Sequence, residues 1–342
     1  MDKAIDPANQ ADRSTRLQHW LARILPGDAF TLEPASADAS FRRYFRLRFA
    51  DARPSLIVMD APPPQEDCRP FVHIAQLLHG AGVHAPRVIG QDLEQGFLLL
   101  SDLGDTSYLA AINAGNADAL FNDALDALVL WQLASRPGVL PPYDDALLRR
   151  ELALFPDWYI GRHLGITLSP EQQRKLDAVF DGIVASNLAQ PAVYVHRDYM
   201  PRNLMLSAPN PGVLDFQDAV YGPLSYDVAS LFKDAFLSWP EERVIDWTVR
   251  YWQKARKAGL PVRADFGDFY AECEWMGLQR HLKILGIFAR LNYRDGKAAY
   301  LADTPRFIAY VRHTSTRYGK LKPLLLLLDE LENVKAGTGY TF

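Results

Sequence analysis

Val195-His196-Arg197-Asp198-Tyr199-Met200-Pro201-Arg202-Asn203, with Leu214-Asp215-Phe216 a dozen residues later, is the stretch from which the fold of this chain is read. It has the form H-x-D-x₄-N, and three of its side chains suit one reaction. Moving a phosphoryl group onto a hydroxyl needs a carboxylate to receive the acceptor's proton. It also needs oxygen ligands that hold Mg²⁺ against the β- and γ-phosphates of ATP. Asp198 suits the first task. Asn203 and Asp215 suit the second, because Mg²⁺ prefers hard oxygen donors and takes few of them from protein. The spacing predicts a loop carrying Asp198, a short hairpin starting at Asn203, and a return strand delivering Asp215 to the same mouth. His196 is expected to fix the backbone that presents Asp198. Asp227 is expected in the first turn of a helix, where it can also brace the loop. The bland alternative is a loop histidine and aspartate that satisfy nearby backbone groups. The well-placed Asp-Phe pair weighs against it.

Working outward, Leu17, Leu21, Ile24 and Leu25 recur at helical spacing, with Asp12 or Ser14 as cap and Pro26-Gly27 as stop. Tyr44 to Phe49 alternates near a period of two, and Ser55 to Met59 is a short β-branched apolar run. Phe71, Ile74, Ala75 and Leu78 mark a helix closed by Gly80 and Gly82, and two more strands are expected at 87–89 and 96–100. After Gly104 the pattern turns helical over 119–134, 143–154 and 170–188. Strands return at 193–195, 203–206 and 213–215, and helices follow from Leu224 to the end. The expected architecture is α+β: a small antiparallel sheet with one helix, a connecting strand near 97–103, and a large, mainly helical lobe, with a cleft where the lobes meet. The boundary is placed at 103/104.

Composition is that of a globular protein with a full core: 49% hydrophobic and 23% charged over 342 residues. A net charge of −4 without long runs of one sign gives no support for nucleic acid as a partner. The polar start, Met1 to Asp6, lacks the apolar stretch of a signal peptide, and the longest apolar run, Leu324 to Leu328, is far too short to span a bilayer. No membrane association is expected. Cys68 and Cys273 stand far apart with no CxxC or HxxxH spacing, so they read as reduced, buried thiols of a cytoplasmic protein.

At these residues the sequence resembles the aminoglycoside phosphotransferase and choline kinase superfamily, small-molecule relatives of the protein kinases, over nearly the whole chain. The resemblance implies a protein-kinase-like two-lobed fold, with ATP and Mg²⁺ as cofactors. It makes Asp198 the base, and Asn203 and Asp215 the metal ligands. It makes Ala39-Ser40-Phe41-Arg42-Arg43-Tyr44 the turn over the nucleotide phosphates, and Leu100-Ser101-Asp102-Leu103-Gly104 the hinge whose backbone binds adenine. Within the superfamily it is most similar to bacterial kinases that phosphorylate N-acetylmuramate and N-acetylglucosamine at the C1 hydroxyl. The stretches Leu56 to Pro63, His196 to Met205, Leu214 to Ala219 and Gln279 to Gly286 carry that likeness. Kinases of this fold usually place a lysine on the third strand to hold the α- and β-phosphates. Here that position is Met59. Either a cation from Arg42, Arg43 or Arg46 substitutes, or the phosphates lean on Mg²⁺ and backbone. An arginine is favoured, since its fork contacts phosphate bidentately.

The acceptor is expected against the helical lobe. Trp158 and Tyr159, in the aromatic run after Glu151, could stack on a sugar face. Residues 274–297 carry five cations against two carboxylates, which suits an acceptor with a carboxylate better than a polycation. Arg280 and His281 are the candidate acceptor contacts there. The resemblance implies a small amino sugar as partner, in peptidoglycan sugar recycling, and the protein is expected to be a monomer. The alternatives are another hydroxyl acceptor (an aminoglycoside, choline or a homoserine-like metabolite) or a nucleotide-binding pseudokinase, which Met59 suggests.

Overall fold

A computed structural model describes residues 7–37 and 41–337. The chain forms two compact units, residues 1–134 with 201–218 and residues 135–200 with 219–342.

The first unit opens with helix α1 (Pro7–Ile24), then strands β1 (Phe30–Ala37), β2 (Arg43–Phe49) and β3 (Leu56–Asp60), helix α2 (Arg69–Gly80), and strands β4 (Val88–Asp92) and β5 (Phe97–Ser101). The strands form one antiparallel sheet in the order β1-β2-β3-β5-β4. Its core is made where Leu17, Trp20 and Leu21 of α1 meet Leu47, Val58, Phe97 and Leu99. Helix α1 starts at Pro7, ahead of the expected caps at Asp12 and Ser14. Proline suits a first turn, where its missing N–H would have had no partner. Strand β1 was not legible because Pro34 interrupts its alternation. The edge position tolerates that proline, and the register shifts between Pro34 and Ser36. Two helices, α3 (Tyr108–Ala111) and α4 (Ala117–Leu133), follow.

The second unit begins with α5 (Asp145–Leu152), whose first turn is capped by the Asp144 carboxylate accepting from the Leu147 N–H at 2.9 Å. Helix α5 ends two residues before the expected Leu154, a π-helical stretch, Phe155–Leu164, follows it, and Gly165 closes that stretch at φ +70°. Next come α6 (Pro170–Leu188), with a Ser169/Gln172 capping box, and β6 (Ala192–Val195). The chain then returns to the first unit for the hairpin β7 (Leu204–Met205) and β8 (Gly212–Val213). Strand β9 (Val220–Pro223) pairs antiparallel with β6. Helices α7 (Tyr226–Phe232), α8 (Glu241–Ala258), α9 (Phe266–Asp295), α10 (Thr304–Arg317) and α11 (Lys322–Gly337) complete the chain. No helix among the described residues is long and apolar enough to cross a membrane. Cys68 and Cys273 are free and buried.

Helix α9 is the spine of the second unit, and Gly286 is its tightest point. A Cβ there would lie 2.3 Å from the Leu154 carbonyl oxygen, a backbone atom that cannot swing aside. Gly286→Ala is therefore expected to destabilise the protein by about 1–3 kcal/mol, the usual cost of overpacking. Calorimetric Tm checks this. An unchanged Tm would show that α9 and the Leu154 turn do not cross so closely.

Candidate active site

The loop that carries Asp198 belongs to the second unit. Strand β6 ends at Val195, and Arg197 takes φ +76°, a conformation that costs a non-glycine residue on the order of 1 kcal/mol and persists only where the surroundings impose it. The His196 and Arg197 amides donate to the Asp227 carboxylate at 2.7 and 3.0 Å. Asp227 lies fully buried in the first turn of α7. Burial pushes its carboxyl up to about 7, although the two amides and Arg280 pull the other way. The buried His196 ring accepts from the Asp198 amide at 3.3 Å through Nδ1 and sits edge-on to Tyr199. Both residues thus shape the backbone, as their sequence positions predicted.

Behind this loop lies a cluster the sequence did not announce. The Arg197 guanidinium donates to Glu151 Oε1 at 2.6 Å, and Lys283 Nζ donates to the same oxygen at 2.8 Å. Gln279 Nε2 donates to Glu151 Oε2 at 3.0 Å, and the Tyr143 hydroxyl donates to it as well. Burial pushes the Glu151 carboxyl up, but the charges of Lys283 and Arg197 outweigh it and hold it at about 2. Since the folded pKa lies below the ordinary 4.5, Glu151 stabilises the fold above pH 4.5, and that contribution fades as pH falls toward 2. Tm measured across this window should drop, and Glu151→Gln, lower throughout, should drop less. Parallel curves for the two proteins would show that Glu151 does not carry the effect. One sequence signal could have found it: in Leu148, Glu151 and Leu152, a carboxylate occupies the apolar i, i+3, i+4 face of α5.

The four expected acceptor contacts do not gather in one place. Arg280, only 5% exposed, donates to the Arg197 carbonyl at 2.8 Å, and its guanidinium lies 4.7 Å from the Tyr226 ring centre. His281 is 1% exposed, stacked on Tyr310 and edge-on to Phe307. Burial and then the cations Lys233 and Arg280 push its pKa well below the ordinary value, so it is neutral and enclosed. Tyr159 stacks on Phe155 within the core. Trp158 lines a cavity of about 410 Å³ with Asp157, Arg162, Tyr293 and Arg294. Arg280 and Tyr293 are thirteen residues apart on α9, about 20 Å along its axis, so this cavity opens far from Arg280. Elsewhere in the unit, Glu241, Glu274 and His313 approach one another closely enough to suggest a metal, but Arg317 already bridges both carboxylates.

In the first unit, the β7–β8 hairpin is extended by the Leu214 amide donating to the Asn203 carbonyl at 2.9 Å. That bond sets Asp215 beside Asn203, whose Nδ2 donates to Asp215 Oδ2 at 3.2 Å. Gln217 Nε2 donates to Oδ1 at 3.0 Å, Asp215 takes φ +61°, and Phe216 is buried against Phe71. Two adjacent oxygen-bearing side chains at an exposed hairpin mouth fit a hard divalent cation such as Mg²⁺.

The expected nucleotide residues are in the same unit, except Ser40, which lies outside the described residues. The Phe41 amide donates to Glu66 at 3.0 Å, and Arg42 pairs with Glu66 at 3.3 Å. Arg43 and Arg13 grip the buried Asp60 from two sides. Arg46 donates to Asp102 at 2.6 Å and to the Gly104 carbonyl at 2.8 Å, and Ser55 also donates to Asp102. Burial pushes the Asp102 carboxyl up, but Arg46 and Ser55 outweigh it and hold it below its ordinary value. The Ser101 hydroxyl accepts from the Arg87 amide, and Leu103 is buried. Met59 is 1% exposed, an apolar core residue in β3.

Residues 31–266 match the sequence model described as the phosphotransferase enzyme family. The chain belongs to that family. It is 56% identical over 330 residues to a protein of Pseudomonas aeruginosa named N-acetylmuramate/N-acetylglucosamine kinase, covering 93% of this chain and 97% of the relative. A protein of the same name from Neisseria meningitidis is 48% identical, over 96% of this chain and 99% of its own. Among solved structures, ADP-bound aminoglycoside phosphotransferase APH(2'')-Ib superposes with a TM-score of 0.59 at 13% identity, covering 86% of this chain and 97% of its own. Choline kinase from Cryptosporidium parvum gives 0.61 at 10%, covering 92% and 99%. At such identities these two speak for the fold alone. The α+β, protein-kinase-like fold expected from the sequence is the one they share, and the family makes this chain a phosphotransferase.

Proposed function

We propose that this protein is an ATP-dependent kinase that phosphorylates the anomeric C1 hydroxyl of N-acetylmuramate and N-acetylglucosamine, in the recycling of peptidoglycan sugars in the cytoplasm. Asp198 receives the proton of the acceptor hydroxyl. Asn203 and Asp215 hold Mg²⁺, which would supply positive charge to the β- and γ-phosphates. Residues 1–103 bind the nucleotide through 40–46 and the 101–103 backbone, and residues 104–342 carry the acceptor. One of the arginines Arg42, Arg43 and Arg46 is assigned to phosphate, in place of the lysine usual at Met59.

The observation that carries the reading is the pairing of Asn203 with Asp215 at a hairpin mouth. Only four residues lie between Asp198 and Asn203, so the five steps of chain reach at most roughly 18 Å. The names of the relatives at 56% and 48% identity support the sugar acceptor.

A coupled assay with ATP, Mg²⁺ and either sugar should release ADP in proportion to sugar consumed, and phosphorus NMR should show a C1 phosphate. ADP release with an aminoglycoside or choline, and none with either sugar, would move the protein to another acceptor class. Nucleotide binding without turnover on any acceptor would make it an interaction module.

A further inference from the structure

Residues 274–297, with Arg280 and His281 as the candidate contacts, were expected to face an acceptor. Arg280 instead joins Gln279 and Lys283 in converging on the catalytic loop and on Glu151 behind it, while His281 stacks on Tyr310. Arg197 is held at its backbone amide, its carbonyl and one guanidinium nitrogen. Its amide is taken by Asp227, its carbonyl by Arg280, and its guanidinium by Glu151. Glu151 is itself immobilised, with Arg197 and Lys283 on one oxygen and Gln279 and Tyr143 on the other, which uses its acceptor directions in full.

Such a grip has a physical purpose. A non-glycine residue at φ +76° relaxes to negative φ by rotating the peptide before it, and Asp227 opposes that by holding the Arg197 N–H. Rotation of the peptide after Arg197 would swing Asp198 away from where its carboxylate is needed. The carbonyl of that peptide is the one Arg280 holds, and the side chain Glu151 holds is the lever arm on its other side.

We propose that Glu151 is a positioning residue for phosphoryl transfer, fixing Asp198 by anchoring the Arg197 side chain while Arg280 anchors the Arg197 carbonyl. The proposal rests on Asp198 being the base. It makes Arg280 and Lys283 part of the loop's support, and it locks the loop in the protein alone, before any ligand arrives.

The test uses the full chain and two variants. Glu151→Gln removes the charge and leaves Arg197 and Lys283 buried without a carboxylate, so Tm falls as well as activity. Glu151→Gln combined with Lys283→Met removes one charge of each sign and restores the native balance, so Tm recovers. In both, kcat is expected to fall roughly 10- to 100-fold, the cost of misplacing a reacting group by about 1 Å. The KM for ATP stays within about threefold in both, since the ATP contacts proposed above lie elsewhere. Recovery of kcat together with Tm in the double variant would overturn the proposal, because Glu151 would then matter only for folding. Amide hydrogen exchange at His196 and Arg197 gives a reading that needs no acceptor. It should rise at least about tenfold in both variants, and unchanged exchange in the double variant would sink the anchoring even if the wild type phosphorylated neither sugar. A wild type inactive on both sugars with exchange raised as described would instead count against the proposed acceptor alone.

Discussion

Asp198→Asn is expected to lower kcat by roughly 10²–10⁴-fold, the usual contribution of a general base, while Mg²⁺-ATP binding stays near the wild-type level. The substitution is nearly isosteric. The bonds that shape the loop run through the backbone of residues 196 and 197 and the side chain of Arg197, none of which it removes. What changes is the capacity to take a proton: an amide oxygen cannot accept one at neutral pH. Turnover measured at saturating ATP and sugar, with ATP affinity followed by calorimetric titration, separates the two properties. A variant with near-normal kcat would mean that another group receives the proton. Loss of ATP binding alongside kcat would mean that Asp198 shapes the nucleotide site instead.

Asp215→Asn should cost about 10²–10³-fold in kcat, equivalent to about 3–4 kcal/mol of lost charge stabilisation, and should raise the Mg²⁺ concentration needed for half-maximal turnover. The carboxylate now accepts from both Asn203 and Gln217. An amide in its place keeps one acceptor but loses the charge that makes binding a small, reluctantly dehydrated dication worthwhile. Titrating activity against Mg²⁺ at fixed ATP reads this directly. An unaltered Mg²⁺ curve would remove Asp215 from the metal site, whatever happened to kcat.

Much of the candidate chemistry was legible because it is local. The spacing from Asn203 to Asp215 predicted a hairpin, and a two-stranded hairpin places the residues at its open end side by side whatever surrounds it. Periodicity located α2, α6 and α9 closely for the same reason: an apolar stripe at threes and fours is a property of the segment itself. Where an element depended on its neighbours, the reading was weaker. The interrupted edge strand β1 is held by its pairing with β2, a neighbour that a single window of sequence does not contain.

The roles of the charged residues divide in the same way. From the sequence alone came the kind of reaction, the three side chains proposed to carry it and the α+β architecture, because those rest on residue type and on separations of a dozen positions or fewer. Only the folded chain decided what Arg197, Arg280 and Lys283 bind. Their partners lie 46, 83 and 132 positions away. A long, charged side chain carries no mark in its own neighbourhood of whether it will meet solvent, substrate or a buried carboxylate. That is determined when distant helices close around it and the cost of desolvating its charge must be met by an ion pair.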